Sequence, residues 1–139
     1  MKGLGQLIRL QKLKVDEKRR ELGQLELLLA EFVGRAEALE AEIAAEKEAA
    51  AGTEAGYIYG AYAKAALGRR ETIRKSIVEV TNNIDKVRSE LTDLFRAQKR
   101  FEIARDQRLK ESEYHALRKE QAELDELGTS RHHRATRAS

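Results

Sequence analysis

The stretch VDEKRRELGQLELLLAEF, residues 15–32, carries Val15, Leu22, Leu25, Leu29 and Phe32 at gaps of seven, three, four and three and surrounds them with charge. That spacing sets the five on one stripe of an α-helix, so the fold turns on what the stripe packs against. Followed in both directions, the row reads Leu4, Ile8, Gln11, Val15, Lys18, Leu22, Leu25, Leu29, Phe32, Ala36, Leu39 and Ile43, with only Gln11 and Lys18 polar. A sustained row of this kind is a coiled-coil seam. A second row at the same spacing runs Ile73, Ile77, Val80, Ile84, Val87, Leu91, Leu94, Gln98 and Phe101, then loses its apolar character at Arg105 and Arg108.

Between the rows lies EAAAGTEAGYIYGAY, residues 48–62, where Gly52 and Gly56 bracket a short polar stretch and Thr53 is placed to cap the second helix. If the chain reverses between Glu54 and Ala55, Ile8 faces Phe101, Val15 faces Leu94, Leu22 faces Val87, Leu25 faces Ile84, Leu29 faces Val80 and Phe32 faces Ile77. Gln11 then falls opposite Gln98, a polar layer of the sort that costs stability and fixes register. The competing arrangement, two helices that each pair with other chains, leaves these coincidences unexplained. The stripe therefore packs on the chain's own second half.

The expected fold is all-α: two long helices forming an antiparallel coiled-coil hairpin, the second overhanging the first. Helix 1 spans about 3–51, the loop 52–56 and helix 2 about 57–127. Residues 1–127 make the hairpin and 128–139 a flexible basic tail. Past Leu39 the register pairs Leu39 with Arg70, Ile43 with Ala66 and Glu46 with Ala63, so the seam is expected to weaken toward the loop. Tyr57, Tyr59 and Tyr62 cluster there with Ile58, either as a partner contact or as a cap packed on Ala44, Ala45 and Ala49. Beyond Asp106, Tyr114, Leu117, Leu124 and Leu127 form a sparse apolar stripe with no partner left in helix 1, which is expected to bind something.

Composition agrees with helices and excludes much else. Charged residues make up 37% of the 139 and aromatics 5%, with no Pro, Trp or Cys. No disulfide, thiolate metal site or Cys nucleophile is available, and the cytoplasm is the expected compartment. No apolar run reaches the roughly 18 residues of a membrane span, and the N-terminus lacks a signal-peptide pattern. His115, His132 and His133 have no metal-ligand spacing, no nucleotide-binding loop occurs, and no active site, cofactor site or small-molecule substrate is expected. Charge is segregated: residues 1–20 hold seven Lys or Arg against two acids, and residues 21–54 hold two against nine. Arg96, Lys99, Arg100, Arg105, Arg108 and Lys110 add to the basic end, suited to an acidic surface; the absence of interleaved aromatics argues against nucleic acid.

The segments LGQLIRLQKLKVDEKRRELGQLE and RFEIARDQRLKESEYHALRKEQAELDEL resemble the N- and C-terminal helices of the flagellar export protein FliJ family, above all in VDEKRREL and in the closing Leu124, Asp125 and Glu126. The resemblance implies a cytoplasmic component of the flagellar type III export apparatus, peripheral to the inner membrane at the flagellar base through its protein partners. Members form an antiparallel coiled coil similar to that of the γ subunit of rotary ATP synthases. They insert into the hexameric ring of the export ATPase, promote its assembly, connect it to the cytoplasmic domain of the membrane export gate and handle export chaperones. Carried over by location, ring contact falls to Arg9, Lys12, Arg100, Arg105, Arg108, Leu117, Leu124, Asp125 and Glu126. Gate contact uses residues nearer the loop in the family, but Ala38, Ala45 and Ala49 leave this arm without aromatics, so Tyr57, Tyr59 and Tyr62 are the candidates. The stalk of a virulence injectisome and a structural coiled-coil adaptor are the competing functions.

Overall fold

A computed structural model of the chain describes residues 2–51 and 56–138, and the expected reversal point between Glu54 and Ala55 lies outside them. Among the described residues there are two α-helices and no strand: α1, Lys2–Ala50, and α2, Gly56–Ala138. With no Pro in the chain, nothing interrupts the backbone ladder of either helix. α1 ends in a turn in which the Ala51 amide donates to the Glu48 carbonyl at 3.2 Å. The helices pack as an antiparallel hairpin and divide into two compact units: residues 1–12 with 96–139, and residues 13–95.

In the larger unit, 13–95, the expected rows are the ones that leave solvent. Val15, Leu39, Val80, Ile84 and Val87 are buried, and Leu22, Leu25, Leu29, Phe32, Ala36, Ile43, Ile73, Ile77, Leu91 and Leu94 are half-buried. Burial on this scale contributes about 1.5–3 kcal/mol per full side chain before entropy is subtracted. The antiparallel register is read from ion pairs that cross the seam: Lys18 with Glu90, Glu26 with Arg88, Glu40 with Arg70 and Glu42 with Arg69. Each lies within five residues of the register in which residue i meets residue 109 minus i.

The seam does not weaken where expected. Leu39 and Ala66 are 2% and 1% exposed, the lowest values in the core. The small Ala66 permits close approach, and Arg70, although on the seam, turns its guanidinium outward to grip both oxygens of Glu40 at 2.6 and 2.8 Å. The paired head leaves the apolar stem to cover the seam. Beyond the half-buried Ile43 the row on α1 is broken by the exposed Glu46 and resumes at the half-buried Ala50.

In the smaller unit Leu4 and Ile8 are buried, and Gln98, Phe101 and Ala104 of α2 are half-buried. From Arg105 to Thr136 every residue of α2 is exposed, so the second helix overhangs the first. α2 also runs past Leu127, where the sequence places its end, through to Ala138. Thr129 and Thr136 accommodate the helix by donating their hydroxyls to the carbonyls of Asp125 and His132 at 2.9 and 2.7 Å.

Two substitutions test this account by urea denaturation. Ile84→Ala removes a side chain that is 3% exposed and is expected to cost about 2–4 kcal/mol. Gly34→Ala, where an added Cβ meets nothing within 4 Å, is expected to add about 0.5–1 kcal/mol by restricting the unfolded chain and improving helix propensity.

Candidate functional site

All nine residues expected to touch the ring fall in the unit formed by 1–12 and 96–139, and the three tyrosines fall in the other. In the first unit Arg9, Lys12, Arg100, Arg105 and Arg108 are exposed, and so are Leu117, Leu124, Asp125 and Glu126. Residues 96–110 hold six Lys or Arg against Glu102 and Asp106. The charge is little compensated: Arg105 reaches Asp106 at 3.6 Å, Glu102 accepts from Gln98, and Arg9, Lys12, Arg100 and Arg108 form no ion pair among the described residues. Apolar surface accompanies the charge, with Leu7, Leu10, Ile103 and Leu109 all more than two-fifths exposed. This part of the unit thus sets uncompensated positive charge beside exposed apolar side chains.

Gln11 and Gln98 are both half-buried in this unit, yet no hydrogen bond joins them. The Gln98 amide donates to Glu102 Oε1 of its own helix at 3.1 Å, and the buried Oε1 of Gln11 has no partner. An unpaired buried amide oxygen costs stability.

At the loop-proximal end of the other unit the tyrosines divide. Tyr57 is 93% exposed and stands beside the exposed Ile58. Tyr59 and Tyr62 are half-buried with ring centroids 6.2 Å apart, and line a groove of about 240 Å³ with Glu46, Ala49, Ala50 and Ile58. The Tyr62 hydroxyl is buried beside the Glu42 carboxylate without a well-formed hydrogen bond to it. Burial first, and then the nearby carboxylates of Glu42 and Glu46, raise its pKa. Tyr59 and Tyr62 are thus partly covered, whereas Tyr57 stands in solvent.

No group of three or more His, Cys, Asp or Glu able to hold a metal occurs among the described residues. No helix there is long and apolar enough to cross a membrane. The family model described as Flagellar FliJ protein matches residues 1–137. The chain belongs to the flagellar FliJ family. No curated protein and no solved structure matches it. Membership gives the chain a flagellar, export-related role within a non-catalytic stalk or adaptor family, interacting with components of the flagellar export system.

One of the polar contacts that cross the seam of this FliJ-family chain starts from a residue of the first row and is one that sequence reasoning passed over. Lys18, the other polar residue in the first row, sends its ammonium to Glu90 and, at 3.1 Å, to Glu21. The signal was present in the sequence, because Glu90 precedes Leu91, the residue expected opposite Lys18. The bond to Glu90 raises the pKa of Lys18 above 10.5, and the same bond lowers that of Glu90 below 4.5.

A raised lysine stabilises the fold fully below 10.5 and loses its contribution as pH rises through the folded value. A lowered glutamate stabilises it above 4.5 and loses its contribution as pH falls through the folded value. The pair is thus worth most on a plateau between those limits. Thermal melts across pH should show the wild type losing stability on the acid side of that plateau more steeply than Lys18→Met, in which Glu90 titrates without a partner; parallel acid limbs would contradict the pairing.

Proposed function

We propose that this FliJ-family chain is the cytoplasmic stalk of the flagellar type III export apparatus. It binds the hexameric export ATPase through the unit that contains residues 1–12 and 96–139 and promotes assembly of the ring. The observation that carries the reading is the uncompensated positive charge of Arg9, Lys12, Arg100 and Arg108, set next to an exposed helical overhang that ends in Leu124, Asp125 and Glu126. This surface supplies the charge and apolar area that such a contact uses.

The other unit serves the link to the export gate, with Tyr57 as the exposed anchor and Tyr59 and Tyr62 shaping the groove beside it. Export chaperones are further cargo of the same stalk. The chain sits at the inner membrane at the flagellar base, held there by its protein partners. Gln11 and Gln98 mark the polar layer of the seam that fixes register, at the cost of one unpaired amide oxygen.

The test is a pull-down from native cytoplasm at moderate salt, with bound proteins identified by mass spectrometry. The wild type should recover a secretion ATPase and a large membrane export protein. Arg100→Glu, Arg105→Glu and Arg108→Glu together should lower ATPase recovery roughly tenfold, since three lost surface attractions of about 0.5 kcal/mol each sum to about one decade in affinity. Unchanged recovery of the ATPase would remove these arginines from the contact.

A further inference from the structure

The row that forms the seam in the smaller unit, Gln98 and Phe101, continues by heptads into Arg105, Arg108, Ser112, His115 and Lys119, which cannot form an apolar face. A different row takes over. Tyr114, Leu117, Gln121, Leu124 and Gly128 follow at gaps of three, four, three and four, two residues out of step with the first. Two residues turn a helix by about 200°, so this row faces away from the seam. It is exposed throughout, with Tyr114, Leu117 and Leu124 at 57%, 65% and 56%.

The borders of the row are acidic. Glu113 and Glu120 flank one side, Glu111 and Asp125 the other, and the lone cation, Arg118, lies over the Tyr114 ring at 5.6 Å. Glu111, Glu113 and Glu120 have no ion pair among the described residues, and Asp125 accepts a hydrogen bond from Gln121 at 3.1 Å. Spacing and charge together specify the missing partner. Heptad gaps call for another helix, and the borders call for one that is basic.

A second copy of this chain does not meet that need. Antiparallel pairing about Tyr114 and Leu117 sets Glu113 against Glu120 and Glu111 against Arg118, and parallel pairing sets Glu120 against Asp125 and Glu113 against Arg118, so a self-pair gains no net charge attraction either way, whereas a basic helix meets four carboxylates against one cation. We infer that the outer face of the α2 overhang is one half of a second coiled-coil seam, and that its occupant is a basic amphipathic helix of another protein, apolar at heptad positions with Lys or Arg beside them. The inference deepens the ring-contact reading and rests on it for where in the export apparatus that helix is found.

The test uses the full chain and two fluorescein-labelled helical peptides of about 21 residues, identical in Leu at the seam positions, one with Lys and one with Glu at the borders. The Lys peptide should bind, weaken as salt is raised, and bind roughly tenfold or more tightly than the Glu peptide in fluorescence anisotropy. Leu117→Asp with Leu124→Asp should abolish binding while leaving the thermal melt of the hairpin unchanged. Because those changes could fray the overhang, Glu113→Lys, Glu120→Lys and Asp125→Lys together provide a second readout and should reverse the preference to the Glu peptide. Equal affinity for both peptides, indifference to these variants, or a wild-type dimer in sedimentation that dissociates with Leu117→Asp would each overturn the inference. Capture of the ATPase by the wild-type chain is scored separately: if the wild type captures the ATPase yet binds neither peptide, the inference fails and the stalk reading stands; if it captures no ATPase yet discriminates the peptides, the reverse holds.

Discussion

Over their paired length each helix has one continuous heptad row of aliphatic side chains, and laying the two rows against each other removes both from water within the chain. The rest of the fold obeys that constraint. A single-file seam offers no thick core, so each of its layers carries a sizeable share of the stability, and a register slip would move every layer at once. Val15, Leu39, Ala66, Val80, Ile84 and Val87 are the layers from which solvent is most completely excluded in the larger unit.

Once the seam fixes the register, polar residues that share it must find partners at its edges. Arg70 and Lys18 both occupy seam positions, and both solve the problem alike: the stem stays over the apolar row and the charged head turns to a carboxylate on the other helix, Glu40 or Glu90. Gln11 has no such exit and keeps an unpaired oxygen. The ion pairs that flank the seam are half exposed, so they select the pairing more than they stabilise it.

The two units differ in how their charge is compensated. In residues 13–95 opposite charges meet across the helices; in residues 1–12 and 96–139 the basic side chains are left largely uncompensated and α2 continues without a partner helix. Folding alone does not account for charge left unpaired or for aliphatic residues held in water along an overhang. In a FliJ-family chain, whose role is export-related, those residues are where function is to be sought.

The sequence by itself determined the two rows, their antiparallel match, the polar positions within them and the excess length of the second helix, because heptad spacing is a local property that can be counted along the chain. It also held the family likeness, in VDEKRREL and in Leu124, Asp125 and Glu126. Only the tertiary structure decided which flanking charges pair across the seam, that Leu39 and Ala66 are its tightest point rather than its fading end, and that Tyr59 and Tyr62 turn inward while Tyr57 does not. The physical reason is that spacing fixes which face a residue occupies, whereas the place of a long side chain's head depends on the distance and rotation of the opposing helix, which no single stretch of sequence contains.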